Sequence, residues 1–475
     1  MTRSTSIGCA IAALTLSTVA SALPPCTPQY LGKVNDSAQL AFDYFGTDVD
    51  VDGSRMIVGS WGDDGAGANS GIAYVFHKVG TTWQKKGTLV APDAASEDRF
   101  GESVAISGDW AVVGGRLNDD AGTSSGSAYV YQWNGTNWVF NTKLLPPDGE
   151  QYDFFGCDVA ISGDRIVVGA YFKDVFQSYN RASAGSAYVF KRSGVAWTVE
   201  QKLIADNPAP DAWFGYSVAI DGTHVAVGAP GTPKVGFQFG PGAVYFFDFA
   251  NNAWTQKDKD TSSNTTATER FGWSVAIDGD TTVVGAPMHN FSTGVVGAAY
   301  AFHRNVDGTW TQTDYLDPIS PETGGELGSK VDIDGDVIVA SSPYATLGGV
   351  GGATGAALVF GRVGSAWNDG ALLAAPAPAL DDMFSQGVAV NGTTIVVGSE
   401  RDDDMGGNSG TVYLYEPSCP EASCPGDLNQ DGLVNAADLS ILLGAWNTSS
   451  YDLNGSGLVD ASDLSILLGA WGNCG

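Results

Sequence analysis

FGWSVAIDGDTTVVGAP, from Phe271 to Pro287, is the stretch whose reading decides the fold. Apolar residues alternate on both sides of Asp278-Gly279-Asp280, which reads as strand, tight turn, strand. A Gly-rich loop follows. A third strand comes next, as in GSAYVY (Gly126–Tyr131) or GSAYVF (Gly185–Phe190), and a Trp opens a fourth. The opening phrase recurs at Phe45-Gly46, Phe100-Gly101, Phe155-Gly156, Phe214-Gly215, Phe271-Gly272, Leu327-Gly328 and Phe384-Ser385, in steps of 55 to 59 residues. Four short strands per unit, with no helical period, predict a mainly β chain: a seven-bladed β-propeller of four-stranded blades.

The fourth-strand Trp residues are Trp83, Trp138, Trp197, Trp254, Trp310 and Trp367. With the opening Phe they read as packing between blades; a carbohydrate-stacking surface is the alternative for the Trp rings. The seventh unit runs through Thr411–Tyr415 and ends without a Trp strand. The missing strand is expected at residues 29–35: Leu89, Leu144 and Leu203 each lie eleven residues before the next Phe, and eleven before Phe45 is Val34. Closing the ring in this way removes exposed sheet edges. Placing Tyr415 on Tyr131 and Val34 on Leu144 brings Cys419 and Cys26 to one hairpin tip. A Cys26–Cys419 disulfide would then replace the covalent turn of the split blade, worth about 5–6 kcal/mol on a chain-entropy model. Cys419–Cys424 is the rival pairing, and Cys157 reads as an unpaired, buried thiol.

These units resemble FG-GAP repeats of the integrin α-chain type, over about Tyr30 to Tyr415. The resemblance implies the propeller. FG-GAP units often carry an Asp-x-Asp-x-Asp-Gly calcium loop between the first two strands; here that connection is too short to wrap a cation. Asp48, Asp50 and Asp52 alternate along a strand and read as strand and turn residues. Acidic loops at Asp63-Asp64, Asp119-Asp120 and Asp402-Asp403-Asp404 read as solvated, with calcium as the alternative.

The N-terminus reads as an export signal over residues 1–22. Arg3 supplies the charge, Ile7 to Ala20 the short apolar run, and Ala20-Ser21-Ala22 the small residues for cleavage. The expected location is secreted, extracellular or at the cell surface, where disulfides are permitted. Asp+Glu number 53 against Lys+Arg 23, a formal net charge of -30. Such a chain repels nucleic acid and anionic membranes, and no stretch is long enough for a membrane span.

Residues 23–416 are assigned to the propeller, 417–425 to a linker and 426–475 to a second unit. Asp427, Asn429, Asp431, Asn435 and Asp438 place oxygen side chains at loop positions 1, 3, 5, 9 and 12. Gly432 stands at position 6 and Leu433 offers its carbonyl at position 7. This is the spacing of an EF-hand calcium loop. A second copy begins 25 residues later with Asp452, Asn454, Ser456, Leu458, Asp460 and Asp463. Each loop feeds the helix Leu-Ser-Ile-Leu-Leu-Gly-Ala-Trp, and two Ca2+ sites are expected. Cys424 and Cys474 flank the unit and would clasp its ends. The duplicated loop-helix is similar to a type I dockerin over Gly426 to Trp471, which implies a cohesin-like protein partner. Dockerins usually carry hydroxyl residues at loop positions 10 and 11 and a basic residue late in the helix. Here those pairs are Ala436-Ala437 and Ala461-Ser462, and the unit has no Lys or Arg.

No nucleophile and base motif accompanies the four histidines, His77, His224, His289 and His303. His77 and His303 read as exposed. The expectation is a non-catalytic binding or scaffold protein, with a protein or glycan on the propeller face. The alternative is a part in extracellular polysaccharide breakdown, through aromatic loops at Tyr171–Ala184 and Gly231–Gly240, including Phe237 and Phe239.

Overall fold

The computed structural model describes residues 26–36, 39–176, 180–231, 240–263, 269–291, 294–318, 325–347, 352–364, 366–419, 426–429, 433–448, 450–451, 453 and 457–473. Residues 1–22, expected to be an export signal, and Cys424, Cys474, Phe237 and Phe239 lie outside them. The fold is a seven-bladed propeller of four-stranded antiparallel sheets, followed by two short helices. Blade 1 consists of Phe45–Asp52, Arg55–Ser60, Ile72–Val79 and Thr82–Leu89, hydrogen-bonded in chain order. The outer strand of blade 6 is split into Ala366–Trp367 and Ala371–Leu373, both paired with Ala356–Val363.

Blade 7 takes three strands from the end of the propeller, Phe384–Asn391, Thr394–Ser399 and Thr411–Glu416, and its outer strand Gln29–Val34 from the beginning. Val34 lies opposite Val412 as Leu144 lies opposite Ala128. Cys26 and Cys419 form a disulfide across 393 residues of sequence, and the Thr27 amide donates to the Ser418 carbonyl beside it at 3.0 Å. Cys157 is a free thiol, half-buried where it borders the central channel. Its Sγ donates to the Gly215 carbonyl at 3.3 Å. Burial pushes it up to about 12.

The seams between blades explain the repeated phrase. The opening Phe is wholly buried against the third-strand aromatics of its own blade; Phe100 lies 5.3 Å from Tyr129 and 6.2 Å from Tyr131. The Gly after it pushes its carbonyl onto a Gly in the second strand of the preceding blade. A Cβ on Gly59 would sit 1.9 Å from the Gly101 oxygen, and one on Gly398 would sit 1.8 Å from that of Gly46. No side chain fits there. The seam between blades 6 and 7 departs from this. Ser341 and Ser385 occupy the two Gly places; Ser385 holds a φ of 78°, and its hydroxyl accepts from the Ser342 amide at 3.1 Å.

Trp138, Trp197, Trp254, Trp310 and Trp367 are buried, and Trp83 is half-buried. Each of three of these rings packs on the blade before its own: Trp138 on Gly87, Trp197 against Trp110 at 5.6 Å, and Trp310 stacked on Phe246 at 4.5 Å. The fourth-strand rings therefore serve packing, not a sugar surface. His77, expected to be exposed, is half-buried instead. It lies 4.6 Å from the Trp133 ring and accepts from the Trp138 indole N–H at 3.1 Å.

Asp48, Asp50 and Asp52 do more than fill a strand and a turn. Their carboxylates accept from the amides of Val104 (2.9 Å), Ile106 (2.7 Å) and Gly108 (2.6 Å) on blade 2. The last of these contacts recurs at every seam. Asp52, Ser107, Ser162, Asp221, Asp278, Asp334 and Asn391 each accept from the turn Gly of the next blade, the last reaching Gly53 of blade 1, at 2.5 to 3.5 Å. A closed circuit of side-chain acceptors thus joins inner strands at the turns.

Replacing Cys26 and Cys419 together by Ser removes the covalent part of this closure. Loss of a native disulfide costs about 2–5 kcal/mol. The double variant should lose stability of that order in urea unfolding, whereas Cys157→Ser should change it by less than about 1 kcal/mol.

Candidate calcium module and channel site

The C-terminal segment folds as two loop-helix units that share one core. Helix α1 spans Ala436–Gly444 and α2 spans Ala461–Gly469, capped by Asn435 and Asp460. Val434, Leu442, Ala445, Val459 and Leu467 pack together between them. The loops interlock reciprocally. Val434 pairs with Gly472 in a short antiparallel bridge, and 25 residues on, Val459 exchanges backbone hydrogen bonds with Asn447 and Thr448.

Asp438 and Asp463 are fully buried at the third position of their helices. One oxygen of Asp438 accepts from the amides of Leu428 (2.8 Å) and Asn429 (3.1 Å), and the other from Asn435 (2.9 Å). Burial by itself would raise this carboxyl; the three amide donors outweigh it and hold the group below the ordinary carboxylate range. Asp463 repeats the arrangement, accepting from Leu453 at 2.8 Å and Asp460 at 2.7 Å. Each loop is thereby tied to a buried carboxyl group at a helix N-terminus, where the dipole favours negative charge.

Of the expected ligands, Asp427, Asn429, Leu433, Asn435 and Asp438 lie in the described first loop, and Leu458, Asp460 and Asp463 in the second. Asp431, Asp452, Asn454 and Ser456 lie outside the described residues. The donors are carboxylate, amide and backbone oxygens, the set that suits a hard cation. Three apolar pairs related by the 25-residue repeat stand exposed: Leu433 and Leu458, Leu443 and Leu468, Trp446 and Trp471.

The propeller encloses a channel of about 500 Å3 along its inner strands. The residue after each opening pair lines it: Thr47, Glu102, Cys157, Tyr216, Trp273, Ser329 and Gln386 in blade order. Deeper in, Lys330 pairs with Asp48 at 3.1 Å, and Asp50, Asp158 and Asp332 face the same space. Burial raises Asp50 to about 7 and Asp158 to about 6, and lifts Asp332 well above the ordinary value. At the mouth Arg116 holds Glu102 at 2.6 Å.

The FG-GAP repeat family model matches residues 32–76, 83–131, 138–190, 197–247, 254–302 and 367–415. The chain belongs to the FG-GAP repeat family. The dockerin type I domain model matches residues 425–469. Dockerin type I domains bind calcium and, as protein partners, cohesins. No curated protein matches the chain.

The FG-GAP segments pass over residues 303–366, which contain Leu327-Gly328 and Ser341, where the repeated wording is weakest. The acidic loops of this FG-GAP propeller hold their own backbone. Asp64, Asp119 and Asp403 accept from the amides of Asn69, Ser124 and Asn408, each five residues on, at 2.7 or 2.8 Å. Among the described residues no three His, Cys, Asp or Glu side chains are grouped to hold a metal, and no helix is long and apolar enough to cross a membrane. Aligning the third residue of the seven phrases would have exposed the channel lining from sequence.

Raised channel carboxylates make stability fall as pH rises. An Asp titrates near 3.8 when unfolded and near 7 at Asp50, so the native state holds more protons in between. The stabilisation is full below the unfolded value and is lost as pH climbs through 6 to 7. The thermal midpoint should rise by a few degrees from pH 8 to pH 5.5, and Asp50→Asn should flatten that rise.

Proposed function

We propose that this is an exported, non-catalytic binding or scaffold protein. Its propeller, assigned to residues 23–416, presents a protein- or glycan-binding face. Its C-terminal unit, residues 426–475 after a linker at 417–425, attaches it to a cohesin-like partner when calcium is bound. The observation that carries the reading is the duplicated loop-helix, in which Asp438 and Asp463 are buried and accept backbone amides at the same place in both halves. Asp427, Asn429, Asp431, Leu433, Asn435 and Asp438 would hold one Ca2+, and Asp452, Asn454, Ser456, Leu458, Asp460 and Asp463 the other. The ion would supply folding free energy and no chemistry. The exposed pairs around Leu443, Trp446, Leu468 and Trp471 are the apolar surface offered to the partner. Export is supported by the disulfide that closes the ring.

Two histidines are held by carboxylates of the blades. His224 pairs with Asp248 at 2.8 Å, and Arg304 holds the same carboxylate at 2.7 Å. His289 is buried against Glu269 at 2.6 Å. Both are engaged within the blade framework. A part in extracellular polysaccharide breakdown is the second reading, favoured by the aromatic residues at the channel mouth.

Calcium titration of the full chain by calorimetry should give two equivalents, and Asp427→Ala should leave one. Immobilised type I cohesin should retain the protein in calcium and release it with chelator. No calcium uptake would overturn the metal reading; uptake without cohesin retention would overturn the attachment alone. Release of reducing sugar from xylan or β-glucan would overturn the non-catalytic assignment.

A further inference from the structure

The seven blades repeat their packing residues but not the residues that face the channel mouth. At the position after the opening pair, five blades carry small, polar or acidic residues: Thr47, Glu102, Cys157, Ser329 and Gln386. Blades 4 and 5 carry Tyr216 and Trp273. Ring closure therefore does not require an aromatic there, since five seams form without one. The residue after the second strand also varies: it is Tyr171 on blade 3 and Trp61 on blade 1, where blades 2 and 7 have Arg116 and Glu400; Tyr171 lines the channel, whereas Trp61 stacks on Tyr44 at 4.6 Å.

The structure brings these rings into one arc. Phe154 stacks on Tyr171 at 5.5 Å and 18°, Tyr171 meets Tyr216 at 5.2 Å, and Tyr216 meets Trp273 at 4.4 Å. All four are half-buried, and the last three line the channel. The arc thus runs over blades 3, 4 and 5 on one side of the mouth. The rest of the lining mixes apolar strand residues such as Val49, Val104 and Ile161, and a further ring, Tyr344 on blade 6, with charged groups of both signs. Glu102 is paired with Arg116 at 2.6 Å, Lys330 with Asp48 at 3.1 Å, and Asp158 and Glu326 stand by. The Arg270 guanidinium lies 4.9 Å over the Trp273 ring.

From this arrangement we infer that the channel mouth is a binding site for a neutral saccharide. Aromatic faces take the C–H faces of sugar rings, and fixed carboxylate and guanidinium groups accept from and donate to hydroxyls. Charged ligands fit less well. The charges there are already matched, Glu102 by Arg116 and Asp48 by Lys330, and burial holds Asp50, Asp158 and Asp332 towards their neutral forms. The volume, about 500 Å3, lies inside the roughly 300–1,000 Å3 of small-molecule sites. The inference gives the propeller face of the proposed binding protein a location and a ligand class. It rests on that reading only for the propeller, not for the attachment unit.

Affinity gel electrophoresis of the full chain tests it, in gels that contain hydroxyethyl cellulose, galactomannan or laminarin as neutral glycans, polygalacturonate as the anionic one and chitosan as the cationic one. The expected result is retardation in at least one neutral gel, equal in calcium and in chelator, and at least tenfold weaker for Tyr216→Ala and for Trp273→Ala. Small and polar residues occupy these places in five blades, so both variants should keep the parent melting temperature. Trp273→Phe, which keeps a ring, should recover most of the retardation. Absence of retardation in all three neutral gels, neutral-gel retardation that survives both Ala variants, or a stronger retardation by chitosan or polygalacturonate that the two Ala variants abolish would overturn the inference. Because chelator leaves the expected retardation intact, this outcome is separate from that of calcium and cohesin binding.

Discussion

The close backbone contact between neighbouring blades is what the rest of the propeller depends on. A carbonyl from one blade presses on a Gly of the preceding blade where a Cβ would fall within 1.8 to 2.1 Å of the oxygen at six of the seven seams. That approach lets the opening Phe bury completely behind the contact and lets the inner strands converge on a narrow channel. Inner strands of adjacent blades share no continuous backbone ladder. Side chains take its place: an Asp, Ser or Asn before each turn Gly accepts the amide of the next turn Gly, seven times around. The exposed turn amides thereby find side-chain partners without a fifth strand in any blade.

The same geometry decides where chemistry can be placed. Positions that hold a seam tolerate little change, because they meet backbone atoms of another blade. The seventh blade shows what a change requires. Two Gly places become Ser341 and Ser385 together, with Ser385 in a left-handed conformation and its hydroxyl engaged with the Ser342 amide. Positions that line the channel are open to it on one side, and they differ from blade to blade. Lys330, paired with Asp48, offsets part of the acid gathered there, and the remaining carboxylates keep their protons to higher pH.

The two parts of the chain are stabilised in different ways. The propeller buries extensive apolar surface and is closed by a strand exchange and a disulfide. The C-terminal unit has a core of a few residues and two internal carboxylates, too little apolar surface for much stability by itself. A bound cation at each loop would add the missing free energy. An excess of acidic over basic residues across the whole chain is compatible with such sites and with a surface that repels other polyanions.

Blade number, strand content and turn positions were determined by the sequence alone, because alternation and turn residues are local signals and seven copies repeat them. Repetition also supplied a ruler. By placing Tyr415 on Tyr131, residues 393 apart could be matched as disulfide partners, although nothing local links Cys26 to Cys419. The oxygen-donor loops were legible for the same reason, since their spacing occurs twice. Tertiary structure decided the direction in which side chains reach. Asp48, Asp50 and Asp52 looked like ordinary strand residues until their acceptors turned out to be amides 56 residues on. His77 looked exposed until Trp133 and Trp138 covered it. The aromatic arc joins residues from three blades; Tyr216 and Trp273 stand one repeat apart in the sequence, but their junction with Tyr171 is made only by the packing. A repeat encodes what each blade does alike; which unlike residues meet at the axis depends on how blades are set around it, and that is settled by packing across the seams.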